Sequence, residues 1–435
     1  MKIKKFYHEP HEPYRRYAVP SVRTRNFCST SCRCSFSSWL IDKKKICVSL
    51  LFIMFFLSMG CIHLSAQMTI SGILDTSVSL QAGTLDAPNY FSGFEEYANI
   101  RFQSKIRDKA AVYGAVNFIA ASGIYAINAR EMAFVGNGYP LNSTSYIYGE
   151  NYIAGIELER LYFRLSGESM DFDGGLMRLP FGYSQVWGSS DFLNPKNPLK
   201  PDARPRATLG AAFFWYPTEE TKLSAFYSAP RDPFSQYDCS FLGLAFDKHW
   251  NKASIQTLYC YETPEERTYF GIHRAGLSVK ADLEVGLVLD ALYTLNPEVW
   301  TGLDGLSFSA GADYSFFDGK LIVLAEYLFN GKASSTAYNP LTNISGFSNY
   351  NYLYTSFTFR FNDFTNISAA LISCFDDVSF TPVLTLNYDL FQGTALTITA
   401  QAPIDRALIY CDDRHGELGP RGYYFYSSAK IRVRF

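Results

Sequence analysis

Long apolar runs are scarce in this chain of 435 residues. The most apolar one, residues 46–57, follows three lysines and precedes small and polar residues up to Ala66. A membrane-spanning helix needs about 20 apolar residues, so this run is too short to be one. A charged start, a short apolar run and a small-residue end are typical of a secretory signal peptide. We therefore predict a signal peptide over residues 43–66, cleaved after Ala66, and a mature domain over residues 67–435.

Residues 1–42 precede the predicted signal, although export signals are read at the extreme amino terminus. We interpret these residues as an extension that comes from a start codon assigned too early or that is disordered. Lipidation at Cys61 is the alternative to cleavage after Ala66. Five side chains of metal-ligand type in the extension have no spacing typical of a zinc site: Cys28, Cys32, Cys34, His8 and His11. We therefore predict neither a metal nor a cofactor.

Cysteine and histidine are also scarce in the mature chain. The four cysteines share no close spacing, so no disulfide framework can be inferred from them: Cys239, Cys260, Cys374 and Cys411. Among the three histidines, only His415 has neighbouring carboxylates, Asp412 and Asp413, and no nucleophile can be assigned to it. We therefore predict that the protein is not an enzyme. A divalent cation bound by Asp412, Asp413 and Glu417 is an alternative role for that loop.

Basic residues become the minority once the predicted signal is removed. Residues 1–66 hold 11 of the 39 basic and 3 of the 41 acidic residues, which leaves 28 and 38 and a net charge of −10. Nucleic-acid binding calls for a net basic face, so we predict no nucleic-acid partner. An acidic protein with basic strands must keep its charges on separate surfaces.

Aromatic residues are abundant, at 17% of the chain, and they occur in alternating segments. The clearest alternation is in residues 423–435, where a two-residue strand period gives one apolar and one basic face. A membrane β-barrel needs both faces, one toward lipid and one toward a wet lumen. The apolar face carries Ala429, Ile431, Val433 and Phe435, and the basic face carries Lys430, Arg432 and Arg434.

Period-two segments recur from Gln67 onward, and we count 18 of them, with 16 or 14 as alternatives. Short polar turns are predicted at 107–109, 167–171, 218–221, 247–252, 280–282, 317–320, 362–366 and 392–394. Longer connections alternate with them, including 122–151, 183–205, 331–349 and 405–422. The very short link at 376–378 fits the count of 18 least well. The pattern predicts an all-β fold, a transmembrane antiparallel up-and-down β-barrel of about 16–18 strands.

Basic residues recur on the predicted lumen face of several strands. A barrel of 16 to 18 strands is too wide for side chains to fill, so these residues would line an aqueous channel. Arginine binds carboxylate, phosphate or sulfate, which favours an anion path. The alternative is that the arginines pair with lumen acids such as Glu157, Glu159 or Glu326. The predicted lining residues are Arg101, Lys105, Arg107, Arg160, Arg164, Arg360, Lys430, Arg432 and Arg434.

A proline-rich segment, residues 183–205, interrupts the strand pattern. Proline removes backbone donors and stiffens a loop, so we expect a folded structure here. Our hypothesis is that the loop enters the barrel as a constriction, and the alternative is an external loop that caps it. The predicted constriction residues are Arg178, Asp191, Lys196, Lys200, Asp202, Arg204 and Arg206.

The run RLPFG at 178–182, followed by GSSD at 188–191, resembles the phosphate-selective and related substrate-specific porins. The overall layout and the terminal Phe435 resemble porin-like proteins of the Bacteroidetes. The resemblance implies the outer membrane of a Gram-negative cell and passive uptake of small hydrophilic solutes, anions among them. It also implies that Phe435 belongs to a signal for the barrel assembly machinery, that lipid and lipopolysaccharide surround the barrel, and that a homotrimer can form.

The sequence therefore predicts a porin with an anion preference. The alternative from another class is a plugged barrel that acts as a surface binding or adhesion protein, since long loops such as 134–152 could contact a partner. A blocked pore would favour this alternative.

Overall fold

The structure is a computed structural model, and it describes most of the predicted mature domain. The described residues are 67–83, 90–106, 109–125, 144–149, 151–194, 207–230, 239–264, 270–298, 302–331, 349–410, 416–419 and 424–435. The predictions for residues 1–66 lie outside them and stay predictions. None of the helices in these ranges has the length and apolarity to cross a membrane, which says nothing about crossing by strands.

Strands dominate the fold, as the recurring two-residue period predicts. The first ten are β1 Gln67–Ala82, β2 Tyr90–Ile106, β3 Ala110–Gly123, β4 Thr144–Tyr148, β5 Tyr152–Ser166, β6 Met170–Met177, β7 Thr208–Thr218, β8 Thr221–Ser228, β9 Phe241–Trp250 and β10 Ala253–Glu262. The others are β11 Ile272–Asp282, β12 Gly286–Leu295, β13 Leu306–Phe316, β14 Leu321–Asn330, β15 Asn351–Asn362, β16 Thr365–Cys374, β17 Ser379–Phe391, β18 Thr394–Gln401 and β19 Phe425–Arg434. The described helices are a 3-10 turn, Gly302–Gly305, and α1, Arg406–Tyr410.

The sheet is closed because β1 pairs antiparallel with both β2 and β19. The other wall strands pair antiparallel with their neighbours in sequence, except that β3 pairs directly with β5 and not with β4. Strand β4 pairs with residues 153–157 of β5, beyond the point where β6 stops pairing with β5. Eighteen strands therefore form the barrel wall and β4 is a short addition to it. The predicted antiparallel barrel is confirmed.

The short turns fall close to their predicted positions, with one clear shift. The turn predicted at 280–282 lies at 283–285, because Asp282 still pairs with Gly286 and prolongs β11. The doubtful link at 376–378 is a tight turn at 375–378, so the count of 18 wall strands is confirmed. Apart from the tight turn at 375–378, short turns lie at one end and longer connections at the other, as in an up-and-down barrel.

The two faces of each strand differ in chemistry. In β1, Leu74, Val78 and Leu80 are 42–50% exposed, whereas the alternate residues Asp75 and Ser77 are buried. The apolar residues face outward, as lipid requires, and the polar residues face the interior of the barrel. Apart from a bulge in β5, the strands discussed below follow this alternation, so an inward position can be assigned from the register.

The barrel closes at the end of β19. Residue Phe435 exchanges backbone hydrogen bonds with Gly72, of 2.8 and 3.2 Å. Its ring lies over Gly72, where a Cβ would overlap the aromatic atoms. The bare glycine therefore provides the space that seats the terminal ring on the outer face of β1.

Candidate functional site: the inner wall and the inner loop

The chain turns into the barrel after β6. We call residues 178–194 the inner loop. Its backbone contacts inward side chains on three alternate strands: Gln256 on β10, Asp290 on β12 and Glu326 on β14. Because these side chains lie on the face opposite the exposed apolar one, the inner loop lies against the inner surface of the wall. The described part of the predicted constriction loop, 183–194, is therefore inside the barrel.

Two buried carboxylates on the wall hold the backbone of the inner loop. The first, Asp290, is 0% exposed and accepts hydrogen bonds from the backbone N–H groups of Tyr183 and Ser184 at 2.8 to 3.1 Å. At Gly182, φ is +83°, and a Cβ would overlap Oδ2 of Asp290. Only glycine combines this φ with so close an approach. The glycine in the sequence run FGYS is thus explained by its contact with Asp290.

The second carboxylate is Glu326, which is 1% exposed. It accepts hydrogen bonds from the hydroxyl of Ser184 and from the backbone N–H groups of the next three residues. The N···O distances are 3.0 Å for Gln185, 3.1 Å for Val186 and 2.9 Å for Trp187. A buried charge needs such donors, and backbone amides supply them here. Naming Glu326 as an arginine partner was therefore wrong.

An aromatic cluster fixes the two legs of the inner loop. On the outgoing leg, Phe181 packs on Phe226 of β8 with ring centroids 4.9 Å apart. On the returning leg, Phe192 packs on Phe241 of β9 at 5.7 Å. The Arg274 guanidinium lies 5.2 Å from the ring centroid of Phe192 and 5.4 Å from that of Phe241. We call this group, with Leu179, Leu258 and Cys260, the first core.

The tip of the inner loop is Trp187, which is fully buried. Its indole N–H donates to the carbonyl oxygen of Glu326 at 2.9 Å, and its ring lies 5.8 Å from that of Tyr352. The tip is thus fixed by a hydrogen bond and by packing. We call the surrounding buried side chains the second core: Trp187, Leu328, Tyr352, Ile372, Cys374 and Leu418.

Two predicted constriction residues are described, and their environments differ. The carboxylate of Asp191 is 3% exposed and accepts from Asn194 Nδ2 at 3.2 Å, so it stabilises the fold of the loop. The guanidinium of Arg178 pairs with the Glu159 carboxylate at 2.8 Å. The remaining predicted residues lie outside the described part of the chain: Lys196, Lys200, Asp202, Arg204 and Arg206.

A β-bulge in β5 brings charges together. In the register with β3, Ala115 pairs with Arg160 and Val116 pairs with Leu158, which leaves Glu159 as the extra residue. Because a bulge redirects side chains, Glu159 and Arg160 both point inward. The carboxylate of Glu159 accepts from Asn99 at 2.6 Å and pairs with Arg160 at 3.6 Å, besides pairing with Arg178. Two strands, β2 and β5, and the start of the inner loop therefore contribute to one charged group.

Two further arginines form paired hydrogen bonds with carboxylates. On β5, Arg164 donates twice to Asp173 of β6, with both distances 2.7 Å. On β19, Arg432 donates twice to Asp75 of β1, also at 2.7 Å. Such fork-shaped pairs are the strong form of a salt bridge. The alternative interpretation of the sequence, in which arginines pair with lumen acids, describes these pairs and the Glu159 group.

The other predicted lining residues have different surroundings. Arg101 donates to Asn99 Oδ1 at 2.6 Å. Within the described ranges, no carboxylate lies within 4.0 Å of the charged groups of Arg101, Lys105, Arg360 or Arg434. Lys430 shares the inward face of β19 with Arg432, and Arg107 is outside the described residues. We call the inner surface of β19, β1, β2, β3, β5 and β6, together with Arg178, the basic wall: Arg101, Lys105, Arg160, Arg164, Arg178, Lys430, Arg432 and Arg434.

Sequence reasoning missed the residues that hold the inner loop. The signal was present, because β12 and β14 are apolar strands that each carry a single acidic residue, Asp290 and Glu326. A carboxylate that is buried in an apolar strand needs hydrogen-bond donors. The inner loop, which can approach closely at Gly182, provides them. The packing of Trp187 had no comparable signal, since its partners lie on strands that are distant in sequence.

One group of side chains has the donor types of a metal site: Cys374, Asp377 and Glu417. Both carboxylates already accept hydrogen bonds from Asn349 Nδ2, at 2.8 and 3.0 Å. The cation site predicted at Asp412, Asp413 and Glu417 falls partly outside the described residues, because Asp412 and Asp413 are not described. The N–H of Glu417 donates to Asp377, and its carboxylate accepts the hydroxyl of Tyr352. These hydrogen bonds join the connections at 349, 377 and 417 and account for the arrangement of the three side chains.

Comparisons with known proteins agree on the architecture. No family model matches the chain, and no curated protein matches it. Among solved structures, the BenF-like porin from Pseudomonas fluorescens Pf-5 superposes with a TM-score of 0.53 at 9% identity, over 85% of this chain and 98% of that one. OccAB4 of Acinetobacter baumannii gives 0.52 at 10% identity, over 85% and 98%. OccAB1 of the same organism gives 0.51 at 11% identity, over 86% and 99%.

These likenesses show a shared fold. The chain has the closed 18-strand barrel of outer-membrane porins. A more specific membership, in the phosphate-selective porins or in those of the Bacteroidetes, stays a prediction from residues 178–191.

Proposed function

We propose that this protein is an outer-membrane porin through which small hydrophilic solutes diffuse passively, with a preference for anions. The porin fold supports the channel, and the basic wall supports the preference. The same reasoning extends to its surroundings: outer-membrane lipid and lipopolysaccharide around the barrel, assembly by the barrel assembly machinery, and a homotrimer as the assembled form.

The observation that carries the proposal is the unequal pairing of inward charges. The loop-covered side is the inner surface of β10, β12 and β14 that lies under the inner loop. There, Asp290 and Glu326 are buried under backbone amides and cannot reach a solute. On the basic wall, Arg101, Lys105 and Arg434 have no carboxylate within 4.0 Å among the described residues. Fixed positive charge in a narrow wet channel concentrates anions. The pore therefore presents uncompensated positive charge to a solute.

The test is a planar-bilayer recording of the refolded mature domain, residues 67–435. We expect discrete openings, and a reversal potential under a KCl gradient that corresponds to chloride preference. Because fixed charges are screened within about 10 Å at 0.1 M salt, the preference should weaken as salt rises. Cation preference at low salt would contradict the anion assignment. Absence of conductance from folded, heat-modifiable protein would favour the plugged barrel that binds at the cell surface.

A further inference from the structure

A second segment of the chain folds into the barrel beside the tip of the inner loop. This is the 416–419 segment, Gly-Glu-Leu-Gly, from the connection between β18 and β19. Its Leu418 is 3% exposed and belongs to the second core with Trp187. The connection between the last two strands therefore shares a buried core with the tip of the loop that enters the barrel after β6.

The 416–419 segment is attached to the wall on both sides of Leu418. The N–H of Leu418 donates to Ser379 Oγ at 3.1 Å, and its carbonyl oxygen accepts from Thr381 Oγ1 at 2.9 Å. The N–H of Glu417 donates to Asp377 at 2.6 Å, and its carboxylate accepts the hydroxyl of Tyr352. The backbone is thus fixed independently of the leucine side chain.

Glycines allow this close approach. At Gly416, a Cβ would lie 2.5 Å from Ser379 Cβ, and at Gly419 a Cβ would overlap the carboxylate of Asp405. The N–H of Gly416 also donates to Asp405 at 3.2 Å. Residues larger than glycine would lift the segment away from the wall and would withdraw Leu418 from Trp187.

We propose that Leu418 is a positioning residue for the pore: the 416–419 segment packs it into the second core, which also contains Trp187, and so helps to fix the tip of the inner loop against the wall. Besides the amide bonds to Asp290 and Glu326, two hydrophobic contacts then hold the loop, the first core at its legs and the second core at its tip. Loss of the Leu418 side chain loosens the packing at the tip and leaves the legs in place. The effect on conductance rests on the proposed function, whereas the effect on the loop does not.

The chain contains two thiols that report on the two anchors separately. Cys374 belongs to the second core and Cys260 to the first, and both are buried and free. Both lie on inward strand positions, so a small thiol reagent in the lumen reaches each of them only when the loop above it opens. Cys239 is partly exposed, and its modification confirms that the reagent is active.

The experiment measures mixed-disulfide formation at each cysteine in the folded mature barrel, by peptide mass spectrometry after treatment with a membrane-impermeant methanethiosulfonate. The cysteine thiolate takes the alkylthio group of the reagent, and methanesulfinate leaves. In Leu418→Ala, removal of a packed side chain should speed modification of Cys374 by about tenfold or more, with Cys260 unchanged. Leu418→Met keeps the volume and should behave as the parent. Leu408→Ala is the matched control, because Leu408 lies in the same connection and is 40% exposed.

A milder variant covers the case in which Leu418→Ala does not fold. Thr381→Val removes the hydroxyl that holds the Leu418 carbonyl and should raise the Cys374 rate by a smaller factor. Single-channel traces of either variant should show added larger openings. Equal acceleration at Cys260 and Cys374 would mean general loosening and would overturn the proposal, as would an unchanged rate at Cys374. A changed rate without any conductance would leave the proposal standing and would reject the porin function instead.

Discussion

The buried carboxylates on the two sides of the lumen are stabilised in different ways. On the basic wall, Asp75 and Asp173 are paired with arginine side chains through two hydrogen bonds each. On the loop-covered side, Asp290 and Glu326 are paired with backbone N–H groups. An arginine pair cancels one positive charge for each negative one, whereas an amide cluster stabilises a negative charge without using a cation. Because the amides carry no net charge, Asp290 and Glu326 stay negative, but the inner loop buries them, and no arginine of the basic wall is used to pair with them.

The largest expected effect comes from removing an amide-bound carboxylate. Glu326→Ala leaves four donors of the inner loop without their acceptor, and each unpaired buried donor costs about 1–3 kcal/mol. We expect the loop to detach and the single-channel conductance to rise, with noisier openings. The control is Asp313→Ala on the neighbouring strand, where, among the described residues, a single side-chain donor, Gln185 Nε2, binds the carboxylate at 3.2 Å. Equal conductance in the two variants would show that Glu326 does not hold the loop.

A smaller effect is expected from a glycine on the loop-covered side. Gly182 and Gly319 share φ = +83°, which costs an alanine about 1–2 kcal/mol at either position. Only at Gly182 does a Cβ overlap a carboxylate, that of Asp290, whereas at Gly319 no atom of the described structure would lie within 4 Å. Gly182→Ala should therefore lower the temperature of thermal unfolding more than Gly319→Ala does, and only Gly182→Ala should alter conductance. A change of conductance in Gly319→Ala would contradict this explanation.

Two substitutions on the basic wall separate charge from stability. Arg432→Ala and Arg101→Ala remove the same charge, so both should reduce chloride preference. Only the first leaves a buried carboxylate, Asp75, without its paired donors, and a loss of roughly 1–3 kcal/mol is expected after allowing for partial solvent access. Heat-modifiability gels would measure the difference. Equal stability of the two variants would mean that water replaces Arg432 without cost.

The smallest effect should come from a loop side chain whose backbone is bound. Gln185→Ala loses one hydrogen bond of 3.2 Å to Asp313, but the Gln185 N–H still donates to Glu326. Stability should change by no more than about 0.5–1.5 kcal/mol, and the conductance should match that of the parent. A detached loop in this variant would show that side chains, rather than amides, hold the loop.

The barrel was predictable from the sequence because its signals are local. Alternation within β19 and the turn residues at 317–320 and 392–393 depend on neighbours in the chain, so the strand count follows from them. The position of the inner loop was a hypothesis supported by its prolines. Its anchors were not predicted, because Trp187 meets Tyr352 and Leu418 only after the barrel has closed. The bulge at Glu159 was missed for the same reason, since it is visible only in the register with β3.

The amide anchor also bears on how such a pore can evolve. Any residue except proline carries a backbone N–H, so Asp290 and Glu326 recognise positions 183 and 185–187 almost without regard to the side chains there. Mutations at Tyr183 or Gln185 can accumulate without releasing the loop from the wall. The side chains of the loop that line the pore can therefore change while the backbone hydrogen bonds that hold the loop remain. A lineage could change what passes through the barrel by single substitutions, on a frame that stays the same.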